Sequence, residues 1–155
     1  MHLGAHLPGL VQDEPRRSGA RHGTEVHALY HDGRIYTLGI SGVLSCVDAK
    51  SGNPIWSYDS GKHFKQGWPL FGVAMSPGIF DGLLIANLGT NDDGALIAFH
   101  SRNGDVKWSW KGDGPGYASP VVVQAGGVKQ IITQTQKYVV GVELATGKLL
   151  WSLSY

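Results

Sequence analysis

Apolar residues along most of this chain come in short runs that fit strands better than helices. From Thr24 onward, runs of four to eight residues are separated by Asp-Gly, Ser-Gly, Asn-Gly, Gly-Gly and Thr-Gly pairs, which favour the tight turns of β-hairpins. No window keeps helical spacing for long. The pattern predicts an all-β chain that follows a poorly ordered leader over residues 1–23, a stretch rich in Gly, Pro, Arg and His.

The strand pattern repeats three times, and each copy ends on a tryptophan. Two strand-like runs precede each copy, so four-stranded units are expected near residues 25–59, 72–111 and 117–155. Repeats of four strands at this period predict the blades of a β-propeller, here about three antiparallel sheets forming an incomplete propeller over residues 24–155. The copies align without gaps, with a glycine four residues before each tryptophan: GVLSCVDAKSGNPIW (42–56), GALIAFHSRNGDVKW (94–108) and KYVVGVELATGKLLW (137–151).

The third strand of each unit indicates how the units pack. It is apolar on both faces in the later copies, and such a strand is expected to be covered on both sides by neighbouring sheets. The residue ten positions before each tryptophan is small, namely Cys46, Ala98 or Gly141. We expect a large side chain of a neighbouring blade to lie against it. Each indole should anchor one blade to the next, with its N–H hydrogen-bonded.

The three copies resemble the tryptophan-docking repeat of the quinoprotein propellers, the family of pyrroloquinoline quinone (PQQ)-like repeats, which reads approximately Ala-x-Asp-x-x-Thr-Gly-x-x-x-Trp. The matching stretches are CVDAKSGNPIW, AFHSRNGDVKW and GVELATGKLLW. The resemblance covers the chain from about residue 24 and implies that Trp56, Trp108 and Trp151 are structural docking residues. Asp48 is expected to accept hydrogen bonds from nearby backbone N–H groups. His100 and Glu143 stand in its place in the later copies, where we expect looser turns.

The resemblance implies two kinds of function. Dehydrogenase members of the family close eight blades around PQQ and calcium, whereas others, including an outer-membrane assembly lipoprotein, bind no cofactor and serve as docking scaffolds. Dehydrogenases commonly carry a pair of adjacent cysteines over the quinone, and this chain has a single cysteine, Cys46. We therefore favour a non-catalytic scaffold or binding module of a bacterial protein, with no cofactor. The alternative is part of a PQQ-dependent oxidoreductase that uses PQQ with calcium.

Charge and hydropathy exclude some partners. Thirteen basic and twelve acidic side chains leave a formal net charge of +1, so the chain has no global field that would attract nucleic acid or an anionic membrane surface. No run approaches the roughly 18 apolar residues of a membrane-spanning helix. We predict a protein or peptide partner. The residues themselves do not indicate a compartment, and the resemblance implies a periplasmic or other extracytoplasmic one.

One irregular stretch, residues 59–72, is long enough to carry a binding function. Here Lys62, His63, Lys65 and Trp68 are expected on the propeller face, where loops usually form binding surfaces, and we hypothesise that they contact a peptide or glycan. Alternatively the stretch is a connector whose Trp68 and Phe71 pack over the core. No catalytic or metal-ligating set is predicted. The Asn-Asp-Asp-Gly stretch at 91–94 offers oxygen atoms but lacks calcium-loop spacing, and we interpret it as a polar turn.

Three blades are fewer than the four to eight that close a propeller. The missing blades are expected to come from the rest of a longer chain or from another copy, unless the sheet edges stay exposed. We favour a longer parent chain of six to eight blades.

Overall fold

The computed structural model describes residues 26–65 and 75–155. The predicted leader, residues 1–23, lies outside the described residues. In the described ranges the chain forms strands and one 3-10 turn, Ser60–Lys62. The strands are β1 (Val26–His31), β2 (Arg34–Gly39), β3 (Val43–Asp48), β4 (Pro54–Asp59), β5 (Gly78–Phe80), β6 (Leu83–Gly89), β7 (Gly94–His100), β8 (Val106–Trp110), β9 (Val121–Ala125), β10 (Val128–Gln134), β11 (Tyr138–Glu143) and β12 (Leu149–Ser154).

The strands form three four-stranded antiparallel sheets, each in simple chain order: β1 to β4, β5 to β8 and β9 to β12. The predicted fold class, an incomplete β-propeller of three such sheets, is confirmed. In each sheet the first hairpin turns on two residues with positive φ, as the commonest two-residue hairpin turns require. These pairs are Asp32-Gly33, Asp81-Gly82 and Gly126-Gly127.

Two apolar layers separate the three sheets. The first layer joins Tyr36 and Leu44 of the first sheet to Phe99 of the second, and the other joins Ile85 of the second sheet to Val140 of the third. The middle sheet is consequently covered on both faces, and every residue of β6 is buried. By contrast, every residue of β12 is exposed. Within residues 26–65 and 75–155, the outer face of the third sheet is therefore open.

An indole from one sheet contacts a hairpin of the next sheet at both junctions. Trp56 Nε1 donates a hydrogen bond to the Ser101 carbonyl oxygen at 3.0 Å, and Trp108 Nε1 donates to the Leu144 carbonyl oxygen at 2.9 Å. The Tyr36 hydroxyl also donates to the Ser101 oxygen, at 3.2 Å. Each indole N–H thus reaches a backbone acceptor on the following repeat, which satisfies a polar group that packing would otherwise leave unpaired.

Glycine is required beneath each of these rings. A Cβ added to Gly104 would lie 2.6 Å from the ring of Trp56, and one added to Gly147 would lie 2.7 Å from the ring of Trp108. Both glycines also have positive φ, 78° and 76°, a conformation that costs other residues energy. At both junctions, the glycine four residues before a tryptophan therefore lies against the indole of the preceding sheet.

The small residue ten positions before each tryptophan has a different role from the one expected. Cys46 pairs with Trp56 across adjacent strands, and Ala98 pairs with Trp108 in the same way. Cross-strand neighbours lie only about 5 Å apart, so a large residue there would compete with the indole for space. The small side chain is required by the tryptophan of its own sheet, which corrects our expectation of a neighbouring blade's side chain.

The hairpin between β3 and β4 is braced by Asp48, as predicted. Its carboxylate accepts hydrogen bonds from the backbone N–H groups of Ser51 at 2.7 Å and Lys50 at 3.0 Å. The Ser51 N–H, together with the Ser51 hydroxyl, lowers the pKa of Asp48. The carboxylate is therefore held in its charged form as part of the turn.

The turns that start at His100 and Glu143 are not looser, and this expectation was wrong. The Gly52 N–H donates to the backbone carbonyl oxygen of Asp48 at 2.8 Å. The equivalent hydrogen bonds to the backbone carbonyl oxygens of His100 and Glu143 measure 2.8 and 2.9 Å. Other side chains brace these turns: Asn103 accepts from the Asp105 N–H. The backbone hydrogen bonds fix the turn, so the aspartate is not essential to its shape.

Replacing Gly104 with alanine is expected to lower the free energy of unfolding by about 2–4 kcal/mol, since a left-handed backbone cost of roughly 1–2 kcal/mol is added to overpacking against Trp56. Gly33→Ala is the matched control, because its φ is 73° and a Cβ there meets nothing within 4 Å. It should cost only the roughly 1–2 kcal/mol of the backbone. Urea unfolding followed by circular dichroism measures both, and equal losses would contradict the contact.

Candidate functional site

Loops that connect the sheets lie together on one face of the stack. The β2–β3, β6–β7 and β10–β11 turns and the links between sheets all emerge there, because consecutive antiparallel strands alternate in direction. We call this surface the loop face and define it by residues 60–65, 90–93, 111–117 and 135–137. The β1–β2 and β3–β4 hairpins and their equivalents lie on the opposite face.

The predicted binding residues lie in the first link, immediately after β4. Asp59 accepts a hydrogen bond from the Gly61 N–H at 3.0 Å and caps the 3-10 turn. Lys62 lies 3.9 Å from the Asp59 carboxylate, and its side chain is 77% exposed. The His63 ring stacks on the ring of Tyr58, with centroids 4.5 Å apart and planes 8° apart. Lys62 and His63 are therefore exposed beside each other, and the His63 ring lies parallel to the Tyr58 ring.

Lys65 is exposed, and its backbone is held by the second sheet. Its N–H donates to Asp93 Oδ2 at 2.8 Å. Two of the residues predicted for this stretch, Trp68 and Phe71, lie outside the described residues. The structure therefore brings Lys62, His63 and Lys65 into one anchored segment, and the contact with Trp68 stays a prediction.

Aspartates on this face hold loops in place. The Asn-Asp-Asp-Gly stretch forms a turn closed by a hydrogen bond from the Thr90 N–H to the Asp93 carbonyl oxygen at 2.9 Å, as the polar-turn interpretation predicts. At the next junction, Asp113 accepts from the Lys137 N–H at 2.6 Å and from the Thr135 hydroxyl at 2.7 Å. Each carboxylate therefore joins a link between sheets to a turn of the following sheet.

A shallow pocket of about 220 Å³ opens between the second and third sheets on the loop face. Its lining is polar and comes from the β6–β7 turn, from the link after β8 and from Lys137. A second pocket, of about 350 Å³, lies on the opposite face, beside an ion pair in which Lys129 Nζ lies 2.6 Å from Asp81. Neither lining contains a serine, threonine, cysteine or histidine, so we assign no chemistry to them.

The described residues do not fit a site for PQQ and calcium. Across residues 26–65 and 75–155, no three or more His, Cys, Asp or Glu side chains are grouped so that they could hold a metal ion. Calcium prefers six to eight oxygen ligands, but Asp93 and Asp113 already accept bonds from loop donors. Cys46, the single cysteine, is buried, and burial raises its pKa.

No helix in the described part of the chain is long and apolar enough to cross a membrane.

Removing the Asp93 carboxylate should release the first link. In Asp93→Ala we expect the Lys65 amide to exchange its hydrogen about tenfold faster, since that N–H loses a charged acceptor and hydrogen bonds to charged groups contribute roughly 1.5–3 kcal/mol. Asp92→Ala is the control, because Asp92 is exposed and makes no hydrogen bond to the other described residues. Hydrogen exchange with mass spectrometry measures both. Equal exchange in the two variants would show that Asp93 does not anchor the link.

Three stacked four-stranded antiparallel sheets with recurring tryptophans define a partial β-propeller of PQQ-like repeats. The family model described as outer membrane protein assembly factor BamB matches residues 11–155, and the chain belongs to this family. The match starts inside the stretch predicted as a leader.

Solved structures share the fold at low sequence identity. BamB from Moraxella catarrhalis is 20% identical, with a TM-score of 0.61, and the alignment covers 83% of this chain and 36% of that one. Quinohemoprotein alcohol dehydrogenase from Comamonas testosteroni is 21% identical, with a TM-score of 0.62, covering 85% of this chain and 21% of that one. Quinohemoprotein alcohol dehydrogenase ADHIIG from Pseudomonas putida HK5 is 15% identical, with a TM-score of 0.59 and coverages of 82% and 26%. No curated protein matches the chain.

These likenesses show the fold alone, because a propeller of the same kind serves both a BamB protein and alcohol dehydrogenases. The chain spans about a third or less of these proteins' lengths.

Proposed function

We propose that this chain is a non-catalytic scaffold whose loop face binds a protein or peptide partner. The observation that carries the proposal is that Asp93 and Asp113 each join a link between sheets to a turn of the following sheet by hydrogen bonds. These fixed loops lie next to the exposed side chains of Lys62, His63 and Lys65. A surface of fixed loops that present exposed side chains suits binding, because little conformational freedom is lost when a partner docks.

The chemistry of the exposed segment suits a peptide. Lys62 and Lys65 offer ammonium groups to carboxylates or carbonyl oxygens. His63, stacked on Tyr58, and Trp68 would add flat rings against which a side chain or a sugar ring can pack. A glycan stays the other ligand class that these groups would accept.

Family membership supports a bacterial extracytoplasmic location, since the family is described by an outer membrane assembly factor. The alternative function, part of a PQQ-dependent oxidoreductase, is not favoured, because the carboxylates of Asp93 and Asp113 hold loops and Cys46 has no partner cysteine in the sequence. We further propose that Trp56, Trp108 and Trp151 act as docking residues between blades. The indole contacts at the first two junctions support this role.

A selection with a random dodecapeptide library tests the binding proposal. Enriched peptides are titrated calorimetrically against the wild type, against a triple variant (Lys62→Ala, His63→Ala, Trp68→Ala) and against a control changed on the opposite face (Lys50→Ala, Arg102→Ala). We expect at least tenfold weaker binding for the triple variant, since interface anchors contribute above about 1.4 kcal/mol each. Unchanged affinity in the triple variant would remove the loop face as the binding surface.

Adding PQQ and calcium to the full-length parent protein and following dye-linked alcohol oxidation separates the two functions. The scaffold proposal predicts no turnover above the protein-free background. Sustained turnover would replace it with the oxidoreductase.

A further inference from the structure

The β7–β8 hairpin of the second sheet contains a residue pair that is suited to a spontaneous covalent change. The sequence has asparagines at positions 53, 87, 91 and 103, and only Asn103 precedes a glycine. In an Asn-Gly pair the glycine nitrogen can attack the side-chain amide carbon of the asparagine, because glycine has no side chain to obstruct the approach. Asn103 is exposed, so the water that completes such a reaction has access to it.

The same hairpin forms half of the contact between the first and second sheets. A Cβ added to Gly104 would lie 2.6 Å from the Trp56 ring. The Ser101 carbonyl oxygen accepts hydrogen bonds from Trp56 Nε1 at 3.0 Å and from the Tyr36 hydroxyl at 3.2 Å. Any change in the main chain between Asn103 and Gly104 therefore occurs directly beside the indole contact.

In the closed hairpin, hydrogen bonds occupy both reacting groups. The Gly104 N–H donates to the His100 carbonyl oxygen at 2.8 Å. The Asn103 amide is held by Asp105: its Nδ2 donates to Asp105 Oδ2 at 2.6 Å, and its Oδ1 accepts from the Asp105 N–H at 3.2 Å. These bonds have to break before the glycine nitrogen can reach the amide carbon. The reaction therefore requires local opening of the hairpin.

In an open hairpin the reaction needs only water. The Gly104 nitrogen forms a bond to Asn103 Cγ and gives up its proton, while the side-chain nitrogen takes up a proton and leaves as ammonia. The resulting cyclic imide adds water at either of its carbonyl carbons. The C–N bond at that carbon breaks, which leaves an aspartate or an isoaspartate. Water is consumed and ammonia released, with no oxidation or reduction.

Both products oppose the return of the hairpin to its original form. In the aspartate product, a carboxylate oxygen replaces the Nδ2 that donates to Asp105 Oδ2, so a hydrogen bond becomes a repulsion between like charges. In the isoaspartate product, the side-chain methylene becomes part of the main chain directly before Gly104. This extra atom displaces Gly104 from the Trp56 ring, against which even a Cβ has no room.

We propose that Asn103 is a deamidation site that reacts only after the first and second sheets separate locally, and whose products then prevent the contact from forming again. While Trp56 lies on Gly104, opening the hairpin also requires breaking that contact. The equivalent hairpins of the first and third sheets have Ser51 and Thr146 before their glycines. The same chemistry is therefore not available at the junction of the second and third sheets.

Peptide mass spectrometry of the chain, incubated at mildly alkaline pH, tests this, because deamidation raises the mass of the peptide that contains Asn103. The native protein should react at least roughly tenfold more slowly than the urea-unfolded chain. Trp56→Ala should accelerate the native reaction at least roughly fivefold, and Trp56→Phe takes its place if the alanine variant does not fold. Ile131→Ala is the matched control, since Ile131 is fully buried at the other junction. Its rate should stay within about twofold of the wild type.

The effect of the products is tested by introducing one of them directly. Asn103→Asp reproduces the aspartate product and should lower the urea midpoint of unfolding. Asn103→Ser keeps a neutral side chain that can accept from the same backbone N–H, and should lower the midpoint less. Equal rates in the native and unfolded chains, no modification in either, equal acceleration in Trp56→Ala and Ile131→Ala, or equal midpoints in the two Asn103 variants would each overturn the proposal.

Discussion

Replacing Trp108 with alanine is expected to lower the free energy of unfolding by about 3–5 kcal/mol. Trp108 is 9% exposed, and its ring lies over Gly147 and hydrogen-bonds the Leu144 carbonyl oxygen. Its loss removes buried area between the second and third sheets and leaves a carbonyl without its donor. Urea unfolding followed by circular dichroism measures the change.

Two controls separate the parts of this effect. Trp108→Phe keeps much of the apolar area but loses the N–H, and should cost less than the alanine change. Trp151→Ala, measured in dilute protein, removes a side chain that is 38% exposed among the described residues and should also cost less. A loss below about 1 kcal/mol for Trp108→Ala would contradict a contact of this size, because buried tryptophan truncations cost several times more.

Replacing Phe99 with alanine should cost a similar amount, about 3–5 kcal/mol. Phe99 is fully buried and lies on the second sheet against two rings of the first. Its centroid lies 4.9 Å from that of Tyr58, edge to face, and 6.3 Å from that of Trp56, nearly parallel. Aromatic pairs of this geometry add about 0.5–1.5 kcal/mol beyond the buried area. Thermal or urea unfolding gives the loss directly.

Tyr30→Ala is the control for Phe99, because Tyr30 is an aromatic residue that is 68% exposed. Its loss should stay within about 0.5 kcal/mol, as for most surface substitutions. A double-mutant cycle with Trp56→Ala then tests the pairing across the junction. We expect a coupling of about 0.5–1.5 kcal/mol, and strict additivity would mean that the two rings do not interact.

The repeat could be predicted because its signals are local in sequence. Turns such as Asp32-Gly33 need positive φ, and few residue types adopt it cheaply. The acceptors of the indoles could not be predicted, because they are backbone carbonyl oxygens at Ser101 and Leu144, and any residue supplies a carbonyl. The role of Cys46 was misassigned for a related reason: spacing shows that a position is small, but not which neighbour requires it.

The loop face was predicted only in part. The sequence indicated exposed residues at Lys62, His63 and Lys65, since an irregular polar stretch between repeats belongs on the surface. The hydrogen bonds that Asp93 and Asp113 accept from the loops were missed, because each joins residues more than twenty positions apart in the sequence. The one local signal at Asp113 is the Gly-Pro-Gly that follows it, which indicates a turn but not the turn's partner.

Hydrogen exchange of the indole N–H groups, followed by NMR with each signal assigned through a Trp→Phe variant, tests the stacking of the sheets most directly. The structure predicts that the N–H groups of Trp56 and Trp108 exchange slowly and together with the backbone amides of β6 and β7, since breaking those hydrogen bonds requires the sheets to separate. Exchange of both indoles at the rate of an unfolded peptide, while the strand amides stay protected, would contradict the account.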